Sequence, residues 1–238
     1  MVNTSLYNTF FSKSSKKVGG ALQDVSELFN KKKDLLVPTM ANLIFQLGLT
    51  YYVMDKYTIT DKKDLPARRN KVLLYFLLQL AIIVILGVFS LPSIIKFILF
   101  VIFSYTFGVE LAYIKYFSGE SIIRFALLGT VSIFAVMFAI GSFLLLTGIN
   151  LGYKYGLFLF YVLLGLILIR LVSLFSGALS GFSKLLTIIG ILLFSAYIIY
   201  DTNVILQRNY SGDFITASMD YYLDIINIFV SLLSFNNS

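Results

Sequence analysis

Cysteine and histidine are both absent from this chain of 238 residues, and charged residues make up only 13% of it. Without cysteine there can be no disulfide framework, thiolate nucleophile or cysteine metal site. Without histidine there is no imidazole base and no histidine-ligated zinc, and the serine–histidine pair of an intramembrane serine protease is excluded. Sensing of pH near neutrality must therefore come from carboxylates or a lysine in an unusual environment.

The scarcity of charge accompanies an excess of apolar residues. Hydrophobic residues make up 58% of the chain, against roughly 45–50% in an ordinary soluble domain. The composition excludes a soluble globular enzyme, a disordered chain and a nucleic-acid-binding domain. The net charge of +7 is explained by cations that flank membrane spans and touch anionic lipid headgroups. The expected partner is thus a lipid bilayer, with no nucleic acid.

Long uncharged runs predict an all-α, polytopic membrane protein. A helix needs about 20 apolar residues to cross a bilayer core, and a barrel would instead show alternating strands of about ten residues. The runs are apolar on every side and are too long for such strands, so a helical bundle is favoured. Seven spans are predicted, at residues 35–54, 72–95 with a break at 91–93, 94–117, within 125–153, 155–175, 182–207 and 214–235.

The polar N-terminal segment differs from the rest of the chain. Residues 1–34 include three consecutive lysines, at 31–33, and no long apolar run. We expect this segment to be a cytosolic tail with a short amphipathic helix. Residues 35–238 form the predicted transmembrane domain.

Acidic residues cluster in the last two spans. Asp201 lies in span six, whereas Asp220 and Asp224 lie in span seven. Together with Asn227 and Ser231, the two acids of span seven follow an i, i+4, i+7, i+11 spacing that places them on one helix face. A polar stripe in a membrane helix faces the bundle interior, and charges inside a span indicate a functional site.

The positions of Asp201 and Asp224 predict that the two carboxyl groups meet. They lie almost symmetrically about the turn at Ser211-Gly212, so antiparallel spans bring them to a similar depth. Two carboxylates in a low-dielectric site do not both ionise readily, so such a pair can share a proton, bind a cation or activate water. Alternatively, each aspartate caps a helix or bonds to a neighbouring tyrosine. The tyrosines close enough in sequence are Tyr197, Tyr200, Tyr221 and Tyr222.

A further intramembrane acid is Glu110 in span three, five residues before Lys115. Two interpretations remain open. Glu110 lines a pore, or it makes a structural hydrogen bond near the interface.

The C-terminal motifs resemble those of a known family. Tyr200-Asp201-Thr202-Asn203, followed by Tyr222-Leu223-Asp224-Ile225-Ile226-Asn227-Ile228-Phe229, is similar to the signature of the Bax inhibitor-1 family of membrane proteins. Gly129-Thr130 and Ile133-Phe134 in span four also resemble that family. The specific match covers about residues 186–235.

This resemblance implies a fold and a function. The family has seven transmembrane helices with the seventh central in the bundle. It is associated with a pH-regulated leak of calcium and other cations, and its eukaryotic members protect cells from death signals. The pH-sensing pair of the family corresponds to Asp201 and Asp224. From the residues themselves, we expect this pair to bind a transient cation as well, and the polar stripe and the acid in span three add Asp220, Asn227 and Glu110 as secondary pore candidates. The resemblance implies no catalysis and no cofactor. It also implies the endoplasmic reticulum or Golgi membrane if the source is eukaryotic or viral, and the plasma membrane if it is bacterial.

The chain departs from the family pattern in two places. Asn203 replaces the usual glutamine. In some bacterial relatives an arginine at the end of span two holds the aspartate pair, whereas here that region reads Phe89-Ser90-Leu91-Pro92 and the nearest cation is Lys96.

Two other functions remain as alternatives. Intramembrane aspartyl proteases also place aspartates on spans six and seven, but their second aspartate follows a Gly-x-Gly motif. Asp224 instead follows Tyr221-Tyr222-Leu223, and no proline follows Pro92. A proton-coupled transporter is the other alternative, although the chain shows no pair of interrupted helices of the kind that many transporters use.

Overall fold

The protein is all-α in the computed structural model, as its apolar runs predict. The structure describes residues 4–59, 63, 65–176, 182–207 and 213–237. Within these ranges lie seven α-helices. They are α1 (Thr4–Lys56), α2 (Leu65–Val88), α3 (Ser93–Phe117), α4 (Glu120–Leu146), α5 (Tyr153–Ser176), α6 (Ser183–Gln207) and α7 (Phe214–Asn237).

Each predicted span overlaps one of these helices, but span two was predicted to reach residue 95, whereas α2 ends at Val88 and α3 begins at Ser93. Five of the helices contain a stretch that is long and apolar enough to cross a membrane, namely those in α1, α3, α4, α5 and α6. The apolar part of α2 is shorter, Leu74–Val88, because the helix begins in the charged segment before it. The α7 helix carries two aspartates and an asparagine within its apolar sequence.

The first helix is longer than expected. It continues from Thr4 to Lys56 without a break, although Pro38 lies inside it. A proline removes one backbone hydrogen-bond donor, but the helix extends on both sides of it. The tail therefore contributes no separate short helix, and the domain boundary at residue 34 stays a prediction.

Sequence-encoded turns separate the later helices. Pro92 directly precedes α3 and Gly119 directly precedes α4. The end of α4 is a Schellman motif, in which the Ile149 amide donates to the Leu144 carbonyl (2.8 Å) and the Gly148 amide to the Leu145 carbonyl (2.9 Å). Gly148 has φ of +83°, a conformation that glycine adopts without a steric penalty.

Helix α7 is central in the bundle, as the family resemblance implies. It packs against α1, α3, α4 and α6, whereas α2 and α5 pack mainly on α3 and α6 respectively. Tyr221 and Tyr222 of α7 are fully buried. The ring of Tyr222 meets Phe100 of α3 edge to face at 5.1 Å, and that of Tyr221 meets Phe134 of α4 at 5.4 Å. Bulky aromatic contacts thus fix α7 between its neighbours.

The outer surface of the bundle is apolar. Leu128 and Phe143 of α4 and Tyr161 of α5 are large side chains that project outward from the bundle. Water would make such exposure costly, whereas a bilayer solvates these side chains. Together with the long apolar helices, this surface defines a multi-pass membrane protein.

Candidate functional site: a buried aspartate pair

The structure brings together the two aspartates that the sequence paired. Asp201 lies near the end of α6 and Asp224 in the middle of α7, and their carboxyl groups are close enough to hydrogen-bond when one of them is protonated. Asp224 is only 4% exposed and Asp201 is half-buried. The antiparallel packing of α6 and α7 accounts for this meeting, whereas the predicted turn at Ser211-Gly212 lies outside the described residues.

A proton is required to hold this pair together. Carboxylates only accept hydrogen bonds, so one of the two groups must be protonated to donate to the other. Within the described residues, no N–H or O–H group of another side chain or backbone satisfies Asp224 Oδ2. A direct bond between the two carboxyl groups therefore depends on a single shared proton, whereas the packing of α6 against α7 does not.

Asp220 adds a third carboxyl group to this region. It lies one helical turn before Asp224 and within electrostatic range of both Asp201 and Asp224. Asp220 also lines a cavity of about 160 Å³ between α2, α3 and α7, together with Lys96 and Thr216. The polar face of α7 thus borders a space that begins at the Lys96 end of the bundle.

Lys96 is engaged at that end by an aspartate outside the spans. Lys96 Nζ donates to Asp213 Oδ2 and lies 3.3 Å from Thr216 Oγ1. Asp213 also accepts hydrogen bonds from the Thr216 amide (3.1 Å) and hydroxyl (2.7 Å), which caps the start of α7. Burial opposes ionisation of Asp213, but the bonds from Lys96 and Thr216 outweigh it and lower the pKa of this carboxyl. Lys96 is the cation nearest to the position where some bacterial relatives have an arginine, and it pairs with Asp213.

The alternative in which neighbouring tyrosines bond to the aspartates is wrong for two of them. Tyr221 donates to Thr202 Oγ1 at 3.1 Å. The hydroxyl of Tyr222 shares a 2.6 Å hydrogen bond with Thr50 of α1. Both hydroxyls therefore join α7 to other helices.

Asn203, the substitute for the family's glutamine, fastens the α4–α5 connection. Its amide nitrogen donates to the carbonyls of Ile149 (3.0 Å) and Gly141 (3.3 Å), and its oxygen accepts from the Leu151 amide at 2.8 Å. Gln207 donates to the same oxygen. Asn203, which lies two residues after Asp201, thus satisfies backbone groups at the α4–α5 connection.

The secondary candidates lie in different places. The Asn227 amide donates to the Leu223 carbonyl of its own helix at 2.7 Å, so its nitrogen turns toward the backbone. Glu110 is buried on α3 beside Gln79 of α2, and Gln79 Nε2 also donates to Thr106 Oγ1 at 3.2 Å. Sequence reasoning missed Gln79, although an amide inside an otherwise apolar run was a usable signal.

No group of three or more potential ligands of the His, Cys, Asp and Glu types is arranged to hold a metal ion in the parts of the chain that the structure describes. The assignment of Asp201 and Asp224 as a transient cation site stays a prediction.

A bundle of apolar helices around a buried carboxyl pair defines the class: this is an integral, multi-pass membrane protein. The profile of the family described as "Inhibitor of apoptosis-promoting Bax1" matches residues 33–238. That match covers most of the chain, and the chain therefore belongs to the Bax inhibitor-1 family.

Curated relatives come from bacteria, a plant, a fungus and an animal. The chain is 39% identical to Protein LIFEGUARD 1 of Arabidopsis thaliana over 80 residues, which are 33% of each protein. It is 35% identical to Bax inhibitor 1 of Schizosaccharomyces pombe over 104 residues, 42% of this chain and 39% of the relative. It is 38% identical to Protein lifeguard 4 of Mus musculus over 77 residues, 26% of this chain and 32% of the relative. The matched segments thus span about a third of the length of these relatives.

Proposed function

We propose that this protein is a pH-sensitive leak channel for calcium and other cations, in which Asp201 and Asp224 form the proton-binding gate. The observation that carries the proposal is the buried contact between the two carboxyl groups. A shared proton would join these groups and add to the packing that holds α6 against α7. Three titratable side chains surround the pair, namely Asp220, Tyr197 and Tyr221. Among them, Asp220 carries the carboxyl group, whereas the other two carry phenol hydroxyls.

Loss of the shared proton changes the balance of forces. Two unit charges about 4 Å apart at an effective dielectric constant near 20 repel by about 4 kcal/mol. This energy is enough to separate the two helices or to draw a cation between the carboxylates. In either case, the state of the pathway depends on the protonation of the pair.

The cavity beside Asp220 supports a route toward this gate. Lys96, Thr216 and Asp220 line it, so its polar groups lie between the Asp213 end of α7 and the buried pair. A slow leak down a gradient requires no catalytic cycle. We propose that the physiological role is regulation of calcium homeostasis, and through it of the response to death signals.

The decisive experiment is calcium flux into liposomes that contain the purified protein. Flux is measured from about pH 5 to pH 8, the range in which a perturbed carboxyl pair can titrate. We expect the double variant Asp201→Asn/Asp224→Asn to lose the pH dependence of the wild type, because amides do not titrate. Glu120→Gln is the matched control, since Glu120 is 82% exposed and pairs with Arg124 of its own helix. A double variant that keeps the wild-type pH profile would refute the gate.

A further inference from the structure

A long apolar groove runs along the outer face of α1 beside α4. Both helices pack against α7 but make little contact with each other, so α7 forms the floor between them. One part of the groove is a cavity of about 400 Å³ whose walls include Gly48 of α1, Val131 of α4 and Ile226 of α7. Toward the start of α1 it continues as a furrow that includes Met40. Ile44 belongs to the walls of both parts, so the two form one continuous groove.

The walls of this groove offer an occupant hydrocarbon contacts rather than hydrogen bonds. The hydroxyl of Thr50 is bonded to the Gln46 carbonyl (2.9 Å) and that of Thr130 to the Ala126 carbonyl (2.7 Å). At the outer edge Ile44 is 70% exposed, so the groove opens sideways, toward the lipid. Lipid tails are as apolar as these side chains. The groove therefore accepts an acyl chain but does not by itself select one lipid over another.

Polar groups that suit a phosphate headgroup lie where the groove reaches the N-terminal part of α1. Lys33, Asn30 and Ser26 line this end, which shares three wall residues with the apolar furrow. They supply an ammonium group, an amide N–H and a hydroxyl, all of which are hydrogen-bond donors. The nearby acids Glu27 and Asp34 are not part of this lining. Among the described residues that line this end, Lys33 is the charged one, so the site favours a negative headgroup.

Distances along α1 match the thickness of one leaflet. Lys33 lies two residues before the first predicted span, which is where headgroups are expected. At about 1.5 Å per residue, Ile44 lies about 16–17 Å and Gly48 about 22–23 Å along α1 from Lys33. The hydrocarbon core of a bilayer is about 30 Å thick, so one leaflet contributes about 15 Å. An acyl chain anchored at Lys33 therefore follows the furrow and ends in the cavity beside Gly48.

We propose that the groove between α1 and α4 binds an anionic glycerophospholipid, with its phosphate at Lys33 and one acyl chain extended along α1 to Gly48. Near a membrane surface, each lysine changes the affinity for anionic lipid by about fivefold. The end of the chain reaches Ile226, two residues after Asp224, so this lipid touches the helix that carries the carboxyl pair. The lipid site does not rest on the channel proposed above and stands or falls by its own test.

The test uses a single tryptophan and brominated lipids, since the chain contains no tryptophan of its own. Phe138→Trp places the reporter in the wall of the furrow, and Phe158→Trp places it on α5, where Phe158 is 59% exposed. Each protein is reconstituted in phosphatidylcholine with a low fraction of phosphatidylglycerol or phosphatidylcholine that is brominated in mid-chain. We expect the Phe138→Trp protein to be quenched at about fivefold lower fractions of the brominated phosphatidylglycerol. The Phe158→Trp protein should respond to both lipids alike.

A pair of lysine variants distinguishes a site from general surface charge. In the Phe138→Trp protein, Lys33→Gln should remove the preference for brominated phosphatidylglycerol. Lys31→Gln removes the same charge two residues away, from an exposed position outside the groove lining, and should leave the preference in place. The inference is overturned if the two variants behave alike, because the headgroup is then attracted only by the charge of the whole segment.

Filling the groove tests the acyl chain separately. A Cβ on Gly48 would meet nothing within 4 Å, so Gly48→Phe places a ring in the cavity. Quenching of the Phe138→Trp protein by both brominated lipids should fall, whereas Gly165→Phe, at an equally open position on α5, should leave it unchanged. Unchanged quenching in Gly48→Phe would refute the acyl-chain position. Absence of quenching by either lipid in the Phe138→Trp protein would show that protein, such as a second copy of the chain, covers the groove instead. The lysine pair decides the inference even if Gly48→Phe fails to fold.

Discussion

Two aspartates are in opposite circumstances, one directly before helix α7 and one in the middle of that helix. Asp213, just before the helix, receives hydrogen bonds from Lys96 and from both the amide and the hydroxyl of Thr216. Asp224, eleven residues later, is buried against another carboxyl group. Neighbouring side chains and backbone supply hydrogen-bond donors to Asp213. Asp224 gains a donor from the facing carboxyl group when one of the two is protonated.

This difference separates a structural carboxylate from a conditional one. Capping and pairing give Asp213 a single favoured charge state over the physiological pH range. The Asp201–Asp224 contact holds only while a proton is bound, because two carboxylates cannot donate to each other. A membrane interior makes the second arrangement costly, so its presence indicates a function rather than a contribution to stability.

Substitution at the two aspartates should give the largest contrast. Asp224→Asn replaces a titrating group with an amide that donates to Asp201 at any pH. We expect the pH-dependent change in liposome calcium flux to shrink by about tenfold or more, equivalent to about 1.4 kcal/mol in the barrier. Asp213→Asn should lower thermal stability but leave the shape of the pH profile as in the wild type. Equal pH profiles for wild type and Asp224→Asn would show that Asp224, like Asp213, does not set the pH dependence.

The Lys96–Asp213 pair makes a stability prediction with a definite sign. Lys96→Gln should destabilise the folded protein by about 1–3 kcal/mol, because it removes a charged hydrogen-bond donor from a partly buried carboxylate. The pKa of Asp213 is lowered in the folded state, so its contribution is complete above its ordinary pKa and is lost as pH falls through the lowered value.

Thermal unfolding in detergent measures this effect at several pH values. The difference in stability between wild type and Lys96→Gln should be constant above the ordinary pKa of an aspartate, about 3.9, and should shrink as the pH falls below it, because the pKa of Asp213 is lowered in the folded wild type. Lys154→Gln, at an exposed position on α5, is the control and should show little difference. A difference that grows on acidification would contradict the assigned ion pair.

A packing comparison should give an effect of similar or smaller size. A methyl group on Gly108 would lie 2.7 Å from both the Thr50 carbonyl oxygen and Val53 Cβ of α1, whereas one on Gly48 would meet nothing within 4 Å. Gly108→Ala should therefore destabilise the α1–α3 contact by about 1–3 kcal/mol through overpacking. Gly48→Ala should be neutral or slightly stabilising, since alanine favours a helix over glycine. Thermal unfolding of the two variants provides the measurement, and a stable Gly108→Ala protein would show that the helices separate easily.

The last prediction concerns proteolysis, for which we expect no activity. An aspartyl protease would use Asp201 and Asp224 to cut a peptide, and this requires backbone room beside the second aspartate. Tyr221 and Leu223 stand where the Gly-x-Gly motif of the proteases has its glycines, and Tyr221 is fully buried against Phe134. We expect no cleavage of transmembrane peptides by the purified protein. Cleavage that disappears in both Asp201→Ala and Asp224→Ala would replace the channel with an enzyme.

Much of the fold and the central pair followed from the sequence alone. Uncharged runs of about 20 residues predict membrane helices because the bilayer demands internally bonded backbone. The pairing of Asp201 with Asp224 was predictable as well, since a short turn between antiparallel helices brings equidistant residues to one depth. Both inferences depend on local periodicity and chain connectivity, which are properties of a one-dimensional sequence.

Other features required the tertiary structure. The partnership of Gln79 with Glu110, the bond from Lys96 to Asp213 and the contacts of Asn203 with the α4–α5 connection join residues 31, 117 and about 50 to 60 positions apart. Such contacts depend on how each helix is rotated and which neighbour it meets, and side-chain packing across the whole bundle decides both. The sequence by itself predicted seven helices and the meeting of Asp201 with Asp224. The packing of the helices decided which polar groups bond to the other buried acids.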